Sequence, residues 1–279
     1  MLQRRCVARL TATLLAASQT TTFPRAGHAE QPQQAVAVAV VAGGFLIQAS
    51  QYQSYANALE ALGCTTVIYA DESVMSRPKD LADGAQSLLA RVESQASKVG
   101  LSRAAPLILL GHSRGCKTCV AAACRSQRQV AAMVLIDPVD RTGPDPSSVL
   151  SHLATLQVPT AVLGSGKSEF DCAPLESNYL RFAEALETAC TPRLVGFLAR
   201  AGHTQFVDNR RVMAVDVCTT GKDADAAIRE VALEATAAWV GAALPPITSE
   251  AMGSTRKAAV ARLQQSHFQA SVTWEAADI

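Results

Sequence analysis

PLILLGHSRGCKTCVAAACRSQR, residues 106–128, is the stretch whose reading decides the fold. Residues 107–110 are four consecutive large aliphatic side chains, a run short enough to be a strand buried on both faces. Gly111-His112-Ser113-Arg114-Gly115 follows, and residues 117–128 are rich in Ala and contain neither Gly nor Pro, which predicts a helix directly behind the turn. A serine at such a strand-to-helix turn has a strained backbone and a hydroxyl lifted clear of the sheet. The flanking glycines keep Cβ atoms out of the crowded turns on either side. Ser113 is therefore the candidate nucleophile, with a tight turn carrying an inert serine as the alternative.

Working outward, apolar and largely β-branched runs at 35–41, 65–69, 106–110, 131–136, 160–163 and 194–198 alternate with amphipathic or Ala-rich stretches. That alternation predicts an α/β fold with a mainly parallel sheet of about six strands and helices on both faces. Residues 52–62, 78–99, 118–128 and 177–190 supply the crossover helices, and 223–244 a closing helix that ends at Pro245-Pro246. The tail 247–279 holds a short helix at 256–265 and an isolated Trp274, to which no function is assigned.

The first 29 residues contain Arg4, Arg5, Arg9 and Arg25, no lysine and no acid before Glu30, with abundant Ser, Thr and Ala. This is the composition of an organellar transit peptide; a secretory signal is the runner-up, weakened by the threonines that interrupt 10–17. The expected division is thus a leader at 1–29, a catalytic domain at 30–246 and a tail at 247–279. The whole chain carries a formal charge of +1 from 25 basic and 24 acidic residues; without the four leader arginines it is near −3. Such a balance offers no electrostatic footprint for nucleic acid. No run reaches the roughly 20 apolar residues of a membrane span.

Eight cysteines scattered through a chain of this size predict mostly free thiols in a reducing compartment. Cys116 and Cys119 have redox-motif spacing, but both fall on the helix behind the elbow without a second pair. Packing against the sheet is the favoured role, and no metal site is expected.

The strand, turn and helix around Ser113 resemble the nucleophile elbow of α/β-hydrolases, in which nucleophile, acid and histidine follow one another in the chain. A serine hydroxyl needs a base that is itself oriented by an acid. Of the five histidines, His28 lies in the leader, His112 inside the elbow with its side chain directed away from the serine, His152 before the last two strands and His267 in the tail. His203 follows the last parallel strand, beside Gly202, and is the candidate base. For the acid, Asp137 ends the 131–136 run, and Pro138 behind it predicts an extended backbone that presents the carboxylate at the sheet edge. Asp140, Glu169 and Asp171 stay open as alternatives, the last two at the commoner position one strand later. Backbone N–H groups of Arg114, and of Phe45 in the Gly43-Gly44-Phe45 loop, are the candidate oxyanion donors.

Taken together, the matches resemble the chlorophyllase family over roughly residues 36–210. Gly111-His112-Ser113-Arg114-Gly115 with Lys117-Thr118 is similar to that family's elbow, and Ile136-Asp137-Pro138-Val139-Asp140 to its acid segment. Gly44-Phe45 with Ser50 and Tyr52, Gly164-Ser165-Gly166, Cys172-Ala173-Pro174 and Gly202-His203 fall in family order. Two positions depart from the pattern: Cys116 stands where a glycine is usual, and Gly43 where a histidine commonly precedes Gly-Phe. With the short N-terminal region, which implies loss of the usual leading antiparallel strands, these departures imply a divergent, algal branch. The resemblance implies hydrolysis of the phytyl ester of chlorophyll by Ser113, Asp137 and His203, with no cofactor, in the chloroplast, with peripheral membrane contact. Gly44, Phe45, Leu46, Ile47, Phe206, Val207 and Met213 are candidate lining residues for a greasy substrate, and equally ordinary core. A carboxylesterase acting on other esters and a non-catalytic pigment carrier are the competing readings.

Overall fold

The computed structural model describes residues 35–70, 80–141, 147–167, 172–210, 218–244, 249–266 and 272–277. Among the described residues, seven strands form one sheet: β1 (Ala37–Ala42), β2 (Cys64–Tyr69), β3 (Leu107–His112), β4 (Val130–Ile136), β5 (Thr160–Ser165), β6 (Arg193–Leu198) and β7 (Val272–Ala277). Their order is β2-β1-β3-β4-β5-β6-β7, with the first six parallel. The α-helices among the described residues are α1 (Gln53–Ala61), α2 (Leu81–Lys98), α3 (Gly115–Ala123), α4 (Leu150–Leu153), α5 (Tyr179–Ala189), α6 (Asp225–Gly241) and α7 (Ser249–Ser266).

Alternation along the central strands divides the interior in two. Ala37, Ala39 and Val41 of β1, Ile108 and Leu110 of β3, and Val134 and Ile136 of β4 face one core, which is closed by Tyr55 and Leu59 of α1 and Val231, Ala235 and Trp239 of α6. Val38, Val40, Leu107, Leu109, Met133 and Leu135 face the other, closed by Leu88 and Val92 of α2, Val120 of α3 and Phe182 and Leu186 of α5. All six residues of β1 and of β3 are buried, which is why those strands read as continuous apolar runs and not as alternating ones. Each fully buried aliphatic side chain contributes about 1.5–3 kcal/mol.

The tail differs from expectation. Val272–Ala277 pairs antiparallel with β6, Val272 opposite Leu198 and Ala277 opposite Arg193, and so adds a seventh strand at the edge of the sheet. α7 is longer than the short helix expected, and its Val260 and Leu263 join the first core. Residues 34–279 form one compact unit. The expected leader and the leading antiparallel strands concern residues outside the described ones.

Strand order reverses direction between β1 and β3: the chain passes from β1 outward to β2, then returns to build the rest of the sheet on the other side of β1. Loops at the carboxyl ends of β1 and β3 therefore diverge and leave a crevice between them, where open α/β sheets hold their ligands.

Candidate active site

The elbow is held by close packing. A Cβ at Gly111 would lie 2.7 Å from the backbone N and Cα of Cys116, and one at Gly115 would overlap the carbonyl of Ala42. Only glycine lets α3 approach β1 and β3 this closely. Ser113 has φ +56°, the left-handed region that a non-glycine residue enters at a cost of about 1–3 kcal/mol. Its N–H donates to the Ile136 carbonyl at 3.0 Å, and its carbonyl accepts from Cys116 N–H at 3.1 Å, which hold the turn in place.

Ser113 Oγ lies 2.8 Å from His203 Nε2, and His203 Nδ1 lies 2.6 Å from Asp137 Oδ2. All three residues are buried, with Ser113 8% exposed. An ionised Asp137 only accepts, so Nδ1 of a neutral His203 carries the proton and Nε2 presents its lone pair to the serine hydroxyl. The structure thus brings together three side chains that are separated by 90 and 66 positions in the chain.

Asp137 departs from the extended conformation expected before proline: its φ is +41°. Its surroundings override the local preference. Asp137 N–H donates to the Leu163 carbonyl at 2.6 Å, Oδ1 accepts from Ser165 N–H at 2.9 Å, and Oδ2 accepts from the Ser165 hydroxyl at 2.9 Å as well as from His203. Asp and Asn tolerate the left-handed region better than other side chains. Of the alternative acids, Asp140 accepts from Val149 N–H at 2.9 Å and so caps the turn that leads to α4. Glu169 and Asp171 lie outside the described residues. Of the alternative histidines, His152 is exposed on α4, and His28 and His267 lie outside the described residues.

The segment bearing His203 is tied from several sides. Gln205 Oε1 accepts from Gly202 N–H at 2.8 Å and Gly221 N–H at 2.9 Å, while its amide donates to the Asp223 carbonyl and to Asp225. Tyr55 donates to the Phe206 carbonyl at 2.8 Å, and Asp208 Oδ2 accepts from Ser54 N–H. Sequence reasoning missed Gln205 and Ser165 in these roles. For Ser165 a signal existed: a small hydroxylated residue at the carboxyl end of β5, the strand parallel to the one that Asp137 follows.

A cleft at the switch point is lined by Gly43, Gly44 and Phe45 from the loop after β1, and by Arg114, Gly115 and Thr118 from the elbow and α3. Both candidate oxyanion donors thus border one opening, beside the N-terminus of α3, whose dipole favours negative charge. Gly44 lies against the serine: a Cβ there would come within 3.0 Å of Ser113 Cβ.

The candidate lining residues divide. Phe45 is 45% and Leu46 37% exposed, but Phe206 and Val207 are at most 1% exposed and Ile47 is 4% exposed, all three in the first core. Phe206 is therefore not a surface for substrate; its ring packs beneath the site, 6.2 Å from that of His112. Met213 lies outside the described residues. Among those described, no group of three or more His, Cys, Asp or Glu is arranged to hold a metal ion, and no helix is long and apolar enough to cross a membrane.

One cysteine pair is an exception to the mostly free thiols expected: Cys172, after β5, is bonded to Cys218, before α6. Proximity of two loops in the fold, not spacing in the chain, brings them together. Cys64, Cys116, Cys119, Cys124 and Cys190 are free. Cys116 and Cys119 are buried, and desolvation pushes both thiols up, out of the range of ready ionisation.

The family model for chlorophyllase matches residues 30–269. No curated protein sequence matches. Among solved structures, a sugar hydrolase from Lactococcus lactis is 16% identical, with a TM-score of 0.55 over 74% of this chain and 89% of that one. The esterase domain of a Rhodothermus marinus protein is 17% identical, with a TM-score of 0.48 over 75% of this chain and 87% of that one. At such identities the first likeness speaks for the shared α/β-hydrolase fold alone, and the family assignment rests on the match that spans nearly all the described sequence. The chain belongs to the chlorophyllase family of carboxylic ester hydrolases.

Proposed function

We propose that the protein hydrolyses the phytyl ester of chlorophyll to chlorophyllide and phytol, with Ser113 as nucleophile, His203 as general base and acid, and Asp137 as the orienting carboxylate. The observation that carries this reading is the continuous hydrogen-bonded line Ser113–His203–Asp137 in a chain of the chlorophyllase family. His203 Nε2 takes the hydroxyl proton as Ser113 Oγ attacks the ester carbonyl, and Asp137 stabilises the imidazolium that forms. The negative charge on the tetrahedral intermediate falls to the N–H groups of Arg114 and Phe45. His203 then gives its proton to the departing phytol oxygen. Water, deprotonated by the same nitrogen, cleaves the acyl-serine and restores the hydroxyl.

Phe45, which lines the opening, and Leu46, next to it in the chain, are both exposed apolar side chains and suit a substrate whose acyl and alcohol parts are both greasy. The same pair is the proposed point of contact with lipid. The acid-free, arginine-bearing start supports import into the chloroplast; secretion of a fluorescent fusion of the full chain would refute that part.

The test is chromatography of chlorophyll incubated with wild type and with Ser113→Ala, beside a short-chain aryl ester. Wild type releases chlorophyllide, and the variant loses at least about a thousandfold in turnover, because triad members act as a unit. Turnover of the aryl ester alone would replace the pigment by small esters. Tight pigment binding without phytol release would make the protein a carrier.

A further inference from the structure

Beneath the triad lies a second polar line that the ester-hydrolysis mechanism does not use. Gly44 N–H donates to Tyr52 Oη at 2.8 Å, Tyr52 Oη lies 2.8 Å from His112 Nδ1, and His112 Nε2 lies 3.0 Å from the carbonyl oxygen of His203. Tyr52 is 0% and His112 1% exposed, so no bulk water replaces a lost partner.

The direction of this line is fixed by its ends. A backbone N–H only donates and a carbonyl only accepts, so His112 Nε2 must carry the proton that goes to His203. Neutral His112 then offers Nδ1 as an acceptor, and the Tyr52 hydroxyl donates to it while its oxygen accepts from Gly44. One arrangement satisfies every atom. Burial, with repulsion from His203, pushes the His112 pKa down to about 3, and burial pushes the Tyr52 phenol up, so both stay neutral as the arrangement requires.

The two ends of this line are functional. Gly44 immediately precedes Phe45, whose N–H is the proposed oxyanion donor, and the far end is the backbone of the proposed base. The connecting residues come from the turn just before α1 and from the elbow itself, so four chain segments are tied at one point.

We propose that Tyr52 and His112 are positioning residues that form a one-directional strut between the oxyanion loop and the His203 backbone, fixing the distance between oxyanion donor and base. This rests on the serine-hydrolase reading above. Removing the phenol oxygen leaves two buried polar groups without partners, Gly44 N–H and His112 Nδ1, and frees the loop to drift; a shift of about an ångström in a catalytic group is enough to cost much of the rate.

The test is the kinetics of covalent inactivation by a p-nitrophenyl alkylphosphonate, which reports attack by serine and oxyanion stabilisation without the leaving alcohol of the pigment. Tyr52→Phe keeps the ring and removes the hydroxyl. His112→Asn keeps an acceptor near the Nδ1 position and cuts the bond to His203. Each is expected to lower the limiting inactivation rate about tenfold at an unchanged half-saturating phosphonate concentration, measured well below the thermal midpoint, and the double variant to lose little more than either single one. A wild-type limiting rate in Tyr52→Phe would overturn the strut, whatever happens to its thermal midpoint. Should Tyr52→Phe fail to fold, a wild-type rate in His112→Asn overturns it equally. If wild type itself acquires no phosphonate on Ser113, the serine-hydrolase reading fails and the strut falls with it; a labelled wild type with unaffected variants sinks the strut alone.

Discussion

Ser165 grips both oxygens of Asp137: its N–H reaches Oδ1 and its hydroxyl reaches Oδ2, each at 2.9 Å. Parallel pairing of β4 with β5 makes this contact, because Ile136 is in register with Leu163 and both chains turn at the same edge of the sheet. The carboxylate thus points at His203 in one orientation, although its own backbone sits at a strained φ. Ser165→Ala keeps the N–H bond and loses the other. A hydrogen bond to a charged group is worth about 1.5–3 kcal/mol, so esterase kcat is expected to fall by about tenfold or more, with KM little changed. Steady-state kinetics on one ester checks this; an unaltered kcat would show that the backbone bond alone orients Asp137.

His112 makes stability sensitive to acid. The unfolded imidazole titrates near 6.5, while in the folded protein burial, with repulsion from His203 and against the pull of Asp137, lowers its pKa to about 3. Across that window the unfolded chain binds a proton that the folded chain refuses, so stability falls as pH falls. Between pH 7 and pH 5 this group alone removes about 2 kcal/mol. Denaturant titrations of wild type and His112→Asn at both pH values are expected to show the variant losing less on acidification by about that amount.

Gly115 permits the approach of α3 to the end of β1. Gly115→Ala would drive a methyl group into the Ala42 carbonyl, a backbone atom that cannot swing aside. The expected cost is about 1–3 kcal/mol or more, read as a lower denaturant midpoint, with loss of activity because the turn bearing Ser113 must shift.

The disulfide between Cys172 and Cys218 closes a loop of 46 positions that contains His203. Replacing both by serine is expected to cost about 2–4 kcal/mol in stability. Of the free thiols described, Cys124 and Cys190 are exposed and are expected to react with maleimide in the native protein; Cys64, pushed up to about 12 by burial, is expected to react only after unfolding.

The parallel strands were legible because the central ones, β1, β3 and β5, are buried throughout and so must be continuously apolar, and each run lies close to a strand of the structure. β7 was not. Val272–Ala277 is an edge strand with no fully buried residue, and Trp274 contacts its neighbour only once β6 exists. Ser113, Asp137 and His203 could be named as candidates because each follows a strand, and strand ends in a parallel sheet share one edge. Phe206 stayed open between lining and core because an aromatic after a candidate histidine looks the same in sequence whether it faces the opening or the core. The conformation of Asp137 and the partners of His112 were beyond reach for a common reason: both are set by groups far away in the chain, from Leu163 for Asp137 to His203 for His112, that meet only in the folded protein.

The most direct test of the account is peptide mapping by mass spectrometry after exposure of the native protein to a fluorophosphonate. A single adduct on Ser113 is expected in wild type, together with near-complete loss of labelling in His203→Ala, since the serine then lacks its base. An adduct on another residue, or labelling of Ser113 that does not depend on His203, would contradict it.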